Sequence, residues 1–251
     1  MKYRWAIRLA VFLGMSVLFT GCQSSSNAKK EVAMGRYLEE KIEFEGIDNE
    51  QMPSIIFFEN KEGNIEALSE EYRTETDRIY KCYVPGDDNV WRETDKVLSR
   101  AITSTHLDAI YAIKKDKKTD ELYLMGGNEK VDEAVSTDES FKDRYHFTPY
   151  FARIKEDGTL EEVTIEWKTT KELSSELIVE QDHLFILLSD AEVVQQYDLK
   201  TGKFVKEIGK NIMSFTILKD KIYAIPWGEQ SVLECYDIKT GQLISTMETV
   251  V

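Results

Sequence analysis

The chain is short of the residues that most often announce a function. Of its 251 residues only 3 are Cys, 3 are His, 4 are Pro and 13 are Gly. Three Cys exclude a disulfide-stapled scaffold, which needs a dense, even set. The His residues, His106, His146 and His183, stand in none of the spacings that hold a metal, such as H-E-x-x-H. Few Pro and Gly exclude a collagen-like or low-complexity chain. Positive charge is scarce: 32 Lys and Arg against 46 Asp and Glu give a net charge of -14. That balance argues against a nucleic-acid partner, whose phosphates need a basic face. A phosphate-cradling P-loop, a G-x-G-x-x-G turn and a G-x-S-x-G nucleophile elbow are all absent.

What is present is a core-forming composition, 42% hydrophobic and 11% aromatic with 31% charged residues. It fits a globular chain of one large or two small domains. Residues 1–21 read as an address. Lys2, Arg4 and Arg8 form a basic start, and the apolar run at 9–19 falls short of the ~20 residues of a membrane span. The following Phe19-Thr20-Gly21-Cys22 resembles the bacterial lipobox, in which a small residue precedes the Cys that receives lipid. The resemblance implies a lipoprotein signal peptide over 1–21, lipid attachment at Cys22, and palmitate-bearing anchorage on the extracytoplasmic face of the cell membrane. Cleavage there removes 21 residues and three cations, leaving 230 residues and a charge of -17. Residues 22–40 begin with a polar, Ser-rich stretch and read as a flexible tether.

Residues 41–251 read as one repeat domain. VQQYDLKTGK from Val194 and LECYDIKTGQ from Leu233 align with a period of 39 residues. A preceding element, Asp182-His-Leu-Phe and Asp220-Lys-Ile-Tyr, repeats at 38. Each apolar run is short, β-branched or aromatic, and ends at turn residues, so each unit is four strands. Four strands per ~40 residues is the mark of a β-propeller blade. The fold class expected is therefore all-β, a propeller of four-stranded antiparallel blades. Two blades are expected from strands at 173–180, 183–188, 193–199, 203–208 and at 213–218, 221–225, 232–238, 242–247. An earlier blade has strands at 108–114, 121–125, 150–155 and 160–167, with an acidic insertion at about 126–146. The first blade has strands at 54–59, 64–68, 78–84 and 90–93. One strand at 41–46 is left over. It belongs either to a fifth blade of which this chain carries a part, or to an irregular closure of the ring. A twisted meander or sandwich is the alternative architecture.

The two C-terminal units resemble the PQQ-like and YncE-type propeller repeats through their Tyr-Asp-aliphatic-Lys-Thr-Gly turn. Gly35-Arg-Tyr-Leu-Glu-Glu40 resembles the start of propeller lipoproteins of Gram-positive bacteria. These resemblances imply a membrane-tethered propeller.

No catalytic or metal-ligating residue and no cofactor is expected. Cys82 and Cys235 lie in strands of well-separated units and read as buried thiols. The acidic turn Asp87-Asp88-Asn89 reads as solvated, because the spacing of a calcium loop is missing. Trp91, Trp167 and Trp227 are the candidate ligand surface, with core packing as the commoner use of such residues. Trp227, in Pro226-Trp227-Gly228 between two strands, stands out. The expected function is a non-catalytic binding or scaffold module with a protein or carbohydrate partner on the propeller rim. The alternatives are a propeller enzyme, either quinoprotein-like or a hydrolase or lyase, and a shortened relative of a larger propeller lipoprotein.

Overall fold

A computed structural model describes residues 43–47, 54–72, 78–88, 90–94, 96–131, 145–168, 173–188, 191–228 and 231–248. The chain divides into two units, Met1–Glu40 and Lys41–Val251. The signal segment, Cys22, the tether and Asn89 lie outside the described residues.

The second unit is built from four antiparallel meanders. Blade 1 comprises β2 (Ser54–Glu59), β3 (Ile65–Tyr72), β4 (Arg78–Pro85) and β5 (Val90–Thr94). Blade 2 comprises β6 (Ala109–Lys115), β7 (Leu122–Val131), β8 (Tyr145–Ile154) and β9 (Leu160–Glu162). Blade 3 comprises β10 (Leu173–Glu180), β11 (His183–Leu188), β12 (Val193–Asp198) and β13 (Phe204–Ile208). Blade 4 comprises β14 (Ile212–Leu218), β15 (Lys221–Pro226), β16 (Val232–Asp237) and β17 (Leu243–Glu248). Each blade is a separate sheet in chain order, so the fold is the expected propeller of four-stranded blades.

Local chemistry explains the repeat. In blades 3 and 4 the first two strands are joined by two-residue turns, Gln181-Asp182 and Lys219-Asp220, all at positive φ. Such turns match the right-handed twist of the strands. Between the last two strands, Asp198 Oδ1 accepts from the backbone N–H and the hydroxyl of Thr201, both at 2.8 Å. Asp237 does the same for Thr240, at 2.7 and 3.0 Å. Gly202 combines a φ of 71° with a backbone approach so close that a Cβ would lie 2.2 Å from Thr164 O. Only glycine meets both demands.

Blades pack face to face. β2 packs on β6, β6 on β10, and β10 on β14. Blade 1 meets blade 2 through Phe58, Leu68, Tyr80 and Cys82 against Ile110, Ile113, Leu122 and Leu124. Blade 2 meets blade 3 through Met125 and Phe151 against Leu177, Leu184 and Tyr197. Blade 3 meets blade 4 through Phe185, Leu187, Val194 and Ile208 against Ile222, Ala224 and Tyr236. Each such side chain contributes ~1.5–3 kcal/mol on burial, so these three junctions hold the arc together. Among the described residues, blade 4 makes no more than marginal contact with blade 1, so the four blades form an arc rather than a ring.

Three features depart from expectation. The left-over strand neither closes a ring nor begins a fifth blade. Its ordered part, β1 (Glu43–Phe44), pairs parallel with β5 at the outer edge of blade 1. Phe44 packs there against Tyr83 and Trp91, with ring centroids 5.2 and 5.5 Å away. Residues at the ends of the 126–146 insertion extend β7 and β8, which stay paired out to Val131 and Tyr145. Residues 132–144 lie outside the described residues. A helix, α1 (Val97–Thr103), follows β5 where no element was expected. Leu98 and Ile102 fill the first junction. Its Ser99 and Thr103 hydroxyls accept the β4 N–H groups of Cys82 and Tyr80, at 3.0 and 3.1 Å. These donors lie at or beyond the end of β5, so the helix stands in for a longer fourth strand.

Candidate functional site

The antiparallel meander sorts the loops into two rims. Turns between strands one and two and between strands three and four emerge on one rim. Loops between strands two and three emerge on the other. The first rim is consumed by its own bonds. Lys115 Nζ reaches Glu59 at 3.2 Å, Asp120 at 3.1 Å and the Lys61 carbonyl at 3.0 Å, tying blade 1 to blade 2. Gln181 Nε2 donates to Asp220 Oδ1 at 2.9 Å, tying blade 3 to blade 4. The fully buried Asp116 accepts from Lys118 N–H at 2.8 Å. His183 Nδ1 lies 2.9 Å from the Gln181 carbonyl within its turn. The Asp157 and Asp198 carboxyls sit below the ordinary range, held there first by the hydroxyls of Thr159 and Thr201. Asp237 is lowered first by the Thr240 backbone N–H. Asp88 is engaged by a two-bonded contact with Arg92, at 2.6 and 2.9 Å, which holds its carboxyl at about 2.

The second rim is different. Trp227 is 50% exposed there, at the end of β15. Its backbone is fixed to Asn211, whose carbonyl accepts Trp227 N–H at 2.7 Å and whose side-chain amide donates to Trp227 O at 3.3 Å. An exposed indole on a fixed backbone is a contact surface with little ordering cost. The long β7–β8 hairpin rises on the same rim. Gly127 lets Phe147 close over the hairpin: a Cβ there would lie 2.3 Å from the ring. Phe147 in turn makes an edge contact with Tyr111, 5.3 Å between centroids.

The structure does not bring the three candidate Trp residues together. Trp91 is 7% exposed in the outer cluster of blade 1. Trp167 is half-buried and packs edge-on against Tyr197, 5.2 Å between centroids. Only Trp227 faces solvent. Cys82 and Cys235 are both buried and free. Burial raises the Cys82 thiol pKa. His106 is exposed after α1.

One polar group escaped the sequence reading. On the inner strands, Glu176 Oε1 of blade 3 accepts from Ser214 Oγ at 2.7 Å and Phe215 N–H at 2.6 Å of blade 4. Lys114 of blade 2 completes the group. Burial pushes its ammonium pKa down, against the opposing pull of Glu176. Glu176 and Ser214 are one repeat apart, but a lone Glu and a lone Ser carry no motif. Among the described residues, no three His, Cys, Asp or Glu side chains group as metal ligands, and no helix is long and apolar enough to cross a membrane.

No family model and no curated protein matches the chain. Solved structures similar to it include a luciferin-regenerating enzyme, at 10% identity and a TM-score of 0.45, covering 78% of this chain and 62% of that one. The designed Ika8 protein is similar at 13% identity and a TM-score of 0.38, covering 75% of this chain and 57% of that one. The WD40 β-propeller domain of Doa1 is similar at 11% identity and a TM-score of 0.38, covering 75% and 51%. The chain thus spans about six-tenths of the length of the first two.

Proposed function

We propose that the chain is a membrane-anchored extracytoplasmic lipoprotein of PQQ-like or YncE-type repeats, of Gram-positive origin. Its propeller arc binds a protein or carbohydrate partner on the rim that carries Trp227. The observation that supports this reading is the contrast between the rims. One is tied together by its own hydrogen bonds, whereas the other presents an exposed indole on a fixed backbone. Binding sites of repeat folds concentrate on such loop faces. The anchor rests on the lipobox resemblance ending at Cys22. One acyl chain holds weakly, so the two or three of a lipoprotein give stable attachment.

The test has two arms. Radiolabelled palmitate is incorporated by the full chain and not by Cys22→Ala; equal labelling overturns the anchor. Cross-linking on intact cells, read by mass spectrometry, enriches a defined surface partner with the native chain and at least tenfold less with Trp227→Ala. Equal enrichment, or none with either, overturns the binding rim.

One observation favours a catalytic reading instead. A Lys whose ammonium pKa is lowered by desolvation is the form that adds to carbonyls, and the half-buried Lys114 is such a group. On that reading, borohydride in the presence of a small aldehyde leaves a mass adduct at Lys114 ahead of the exposed lysines. No such preference removes it.

A further inference from the structure

Blade 1 carries a strand that the other blades lack. β1 lies outside β5 and makes blade 1 the one five-stranded sheet among the described residues. The added strand is minimal. Its two residues pair with Val90 and Trp91, although β5 runs on to Thr94. Glu45 N–H donates to the Trp91 carbonyl at 2.8 Å, and Gly46, at a φ of 76°, then turns the chain away. Beyond Trp91, the outer edge of β5 has no strand beside it among the described residues.

What β1 delivers is one aromatic side chain. Phe44 sits among Phe57, Tyr83 and Trp91, with ring centroids 6.4, 5.2 and 5.5 Å away. Phe57 and Trp91 themselves meet edge to face at 5.5 Å. The small Ala67 lies opposite both Phe57 and Tyr83, which leaves room for these rings to converge. The fit is partial, since Phe44 stays half-buried and Phe57 is 41% exposed. Holding β1 orders residues 43–47 in return for one ring and a few main-chain bonds. Over so short a segment the ordering cost is comparable with the gain from burial, so the strap is held weakly.

We infer that the outer edge of blade 1 is a strand-addition groove with β1 as its resident strap, and that an extended peptide segment of another protein displaces β1 by placing an aromatic residue where Phe44 sits. Strand addition draws affinity from main-chain bonds and specificity from a side-chain pocket, and this edge offers both. An incoming strand that follows β5 past Trp91 makes more main-chain bonds than β1 does. The edge carries Glu71 and Glu93 around Lys81, at 3.0 and 3.5 Å. Its charge is therefore net negative, which suits a partner with Lys or Arg beside the aromatic residue. The groove is separate from the rim that carries Trp227, and the inference does not rest on that rim.

The test uses the full chain in mild detergent and a fluorescent peptide, Lys-Ile-Lys-Phe-Lys-Val-Lys, read by anisotropy. The peptide keeps the aromatic residue of β1 and lacks the Gly that turns β1 away. A control peptide carries Ser in place of Phe. Phe44→Ala empties the aromatic site, and the milder Glu45→Pro removes only the N–H that bonds Trp91. Apparent affinity scales with the fraction of chains whose groove is open, so Phe44→Ala is expected to bind about tenfold more tightly than the native chain and Glu45→Pro about threefold. Adding Phe57→Glu, at an exposed position, to Phe44→Ala is expected to reverse that gain. In the native chain, bound peptide is expected to slow amide exchange at Glu93, which shares its strand edge with Trp91. Equal affinity of the native and Phe44→Ala chains overturns the inference. Equal affinity for the Phe and Ser peptides also overturns it, in favour of charge alone. So does binding that leaves Glu93 exchange unchanged, or no binding to any of the chains.

Discussion

Blades 3 and 4 share their turns, their strand order and their register, yet Ile208 is 0% exposed while its counterpart Met247 is 42% exposed. The two blades differ in what lies beyond them. Blade 3 has a neighbour on each face, and blade 4 has one only among the described residues. The same strand chemistry therefore yields a buried layer in one blade and a half-wet surface in the other. Blade identity is local, written in turns and alternation. Blade burial is collective, set by the next blade in the arc.

The comparison is broken most severely at the turn glycines. Gly202→Ala meets Thr164 O, a backbone atom, at 2.2 Å, at a φ of 71°. Gly241→Ala meets the movable Ile208 Cγ1 at 3.3 Å, at a φ of 73°. Both are strained, but only the first forces two chain segments apart. Gly202→Ala is expected to cost about 3 kcal/mol or more and Gly241→Ala about 1 kcal/mol, read from urea midpoints. Next in size is Ile208→Ala, expected to cost about 2–4 kcal/mol as a cavity at a closed junction, against less than about 1 kcal/mol for Met247→Ala. Equal losses at these two sites would show that blade 4 is covered as blade 3 is.

A smaller difference is expected at the paired tyrosines. The Tyr197 hydroxyl donates to Gln195 at 2.6 Å and accepts Lys168 N–H at 3.2 Å. The hydroxyl of the buried Tyr236 donates to the half-buried Glu234. Tyr197→Phe is expected to cost about 1–2 kcal/mol and Tyr236→Phe less, by thermal melting. The smallest effect is that of pH. The carboxyls of Asp157, Asp198 and Asp237 have folded pKa values below their ordinary ones. Their stabilisation is complete above the unfolded value of ~4 and is lost as pH falls through the lower folded values. Melting points are expected to decline only below about pH 4 from this source. Thr201→Val should flatten that decline more than Thr240→Val, which keeps the backbone N–H that lowers Asp237 first.

The blades themselves were legible in the sequence. Strands β2, β10 and β11 begin and end at the expected residues, because each is a short apolar run closed by a turn signal. Less was legible wherever burial did not govern the pattern. The extension of β7 begins with Gly126-Gly127 and the polar Asn128-Glu129-Lys130, which carry no strand alternation, and the short Tyr145–Pro149 extension of β8 adjoins the acidic insertion. α1 has too few turns for a helical period to emerge, and its Val97-Leu98 and Ala101-Ile102 pairs resemble strand residues. Parallel pairing of β1 with β5 depends on tertiary placement alone. At the candidate site, the exposure of Trp227 followed from its Pro-Trp-Gly setting, whereas the burial of Trp91 depended on Phe44 folding over it. The Lys114, Glu176 and Ser214 group was invisible, because its members come from three blades.

The open arc is tested most directly by amide hydrogen exchange in β13 and β17 at high dilution, which holds the chain as a single copy. The arc requires strong protection in β13 and fast exchange in β17, with β16 between them. Equal protection of β13 and β17 in that single copy would mean that blade 4 is covered from within the chain, and would contradict an open arc.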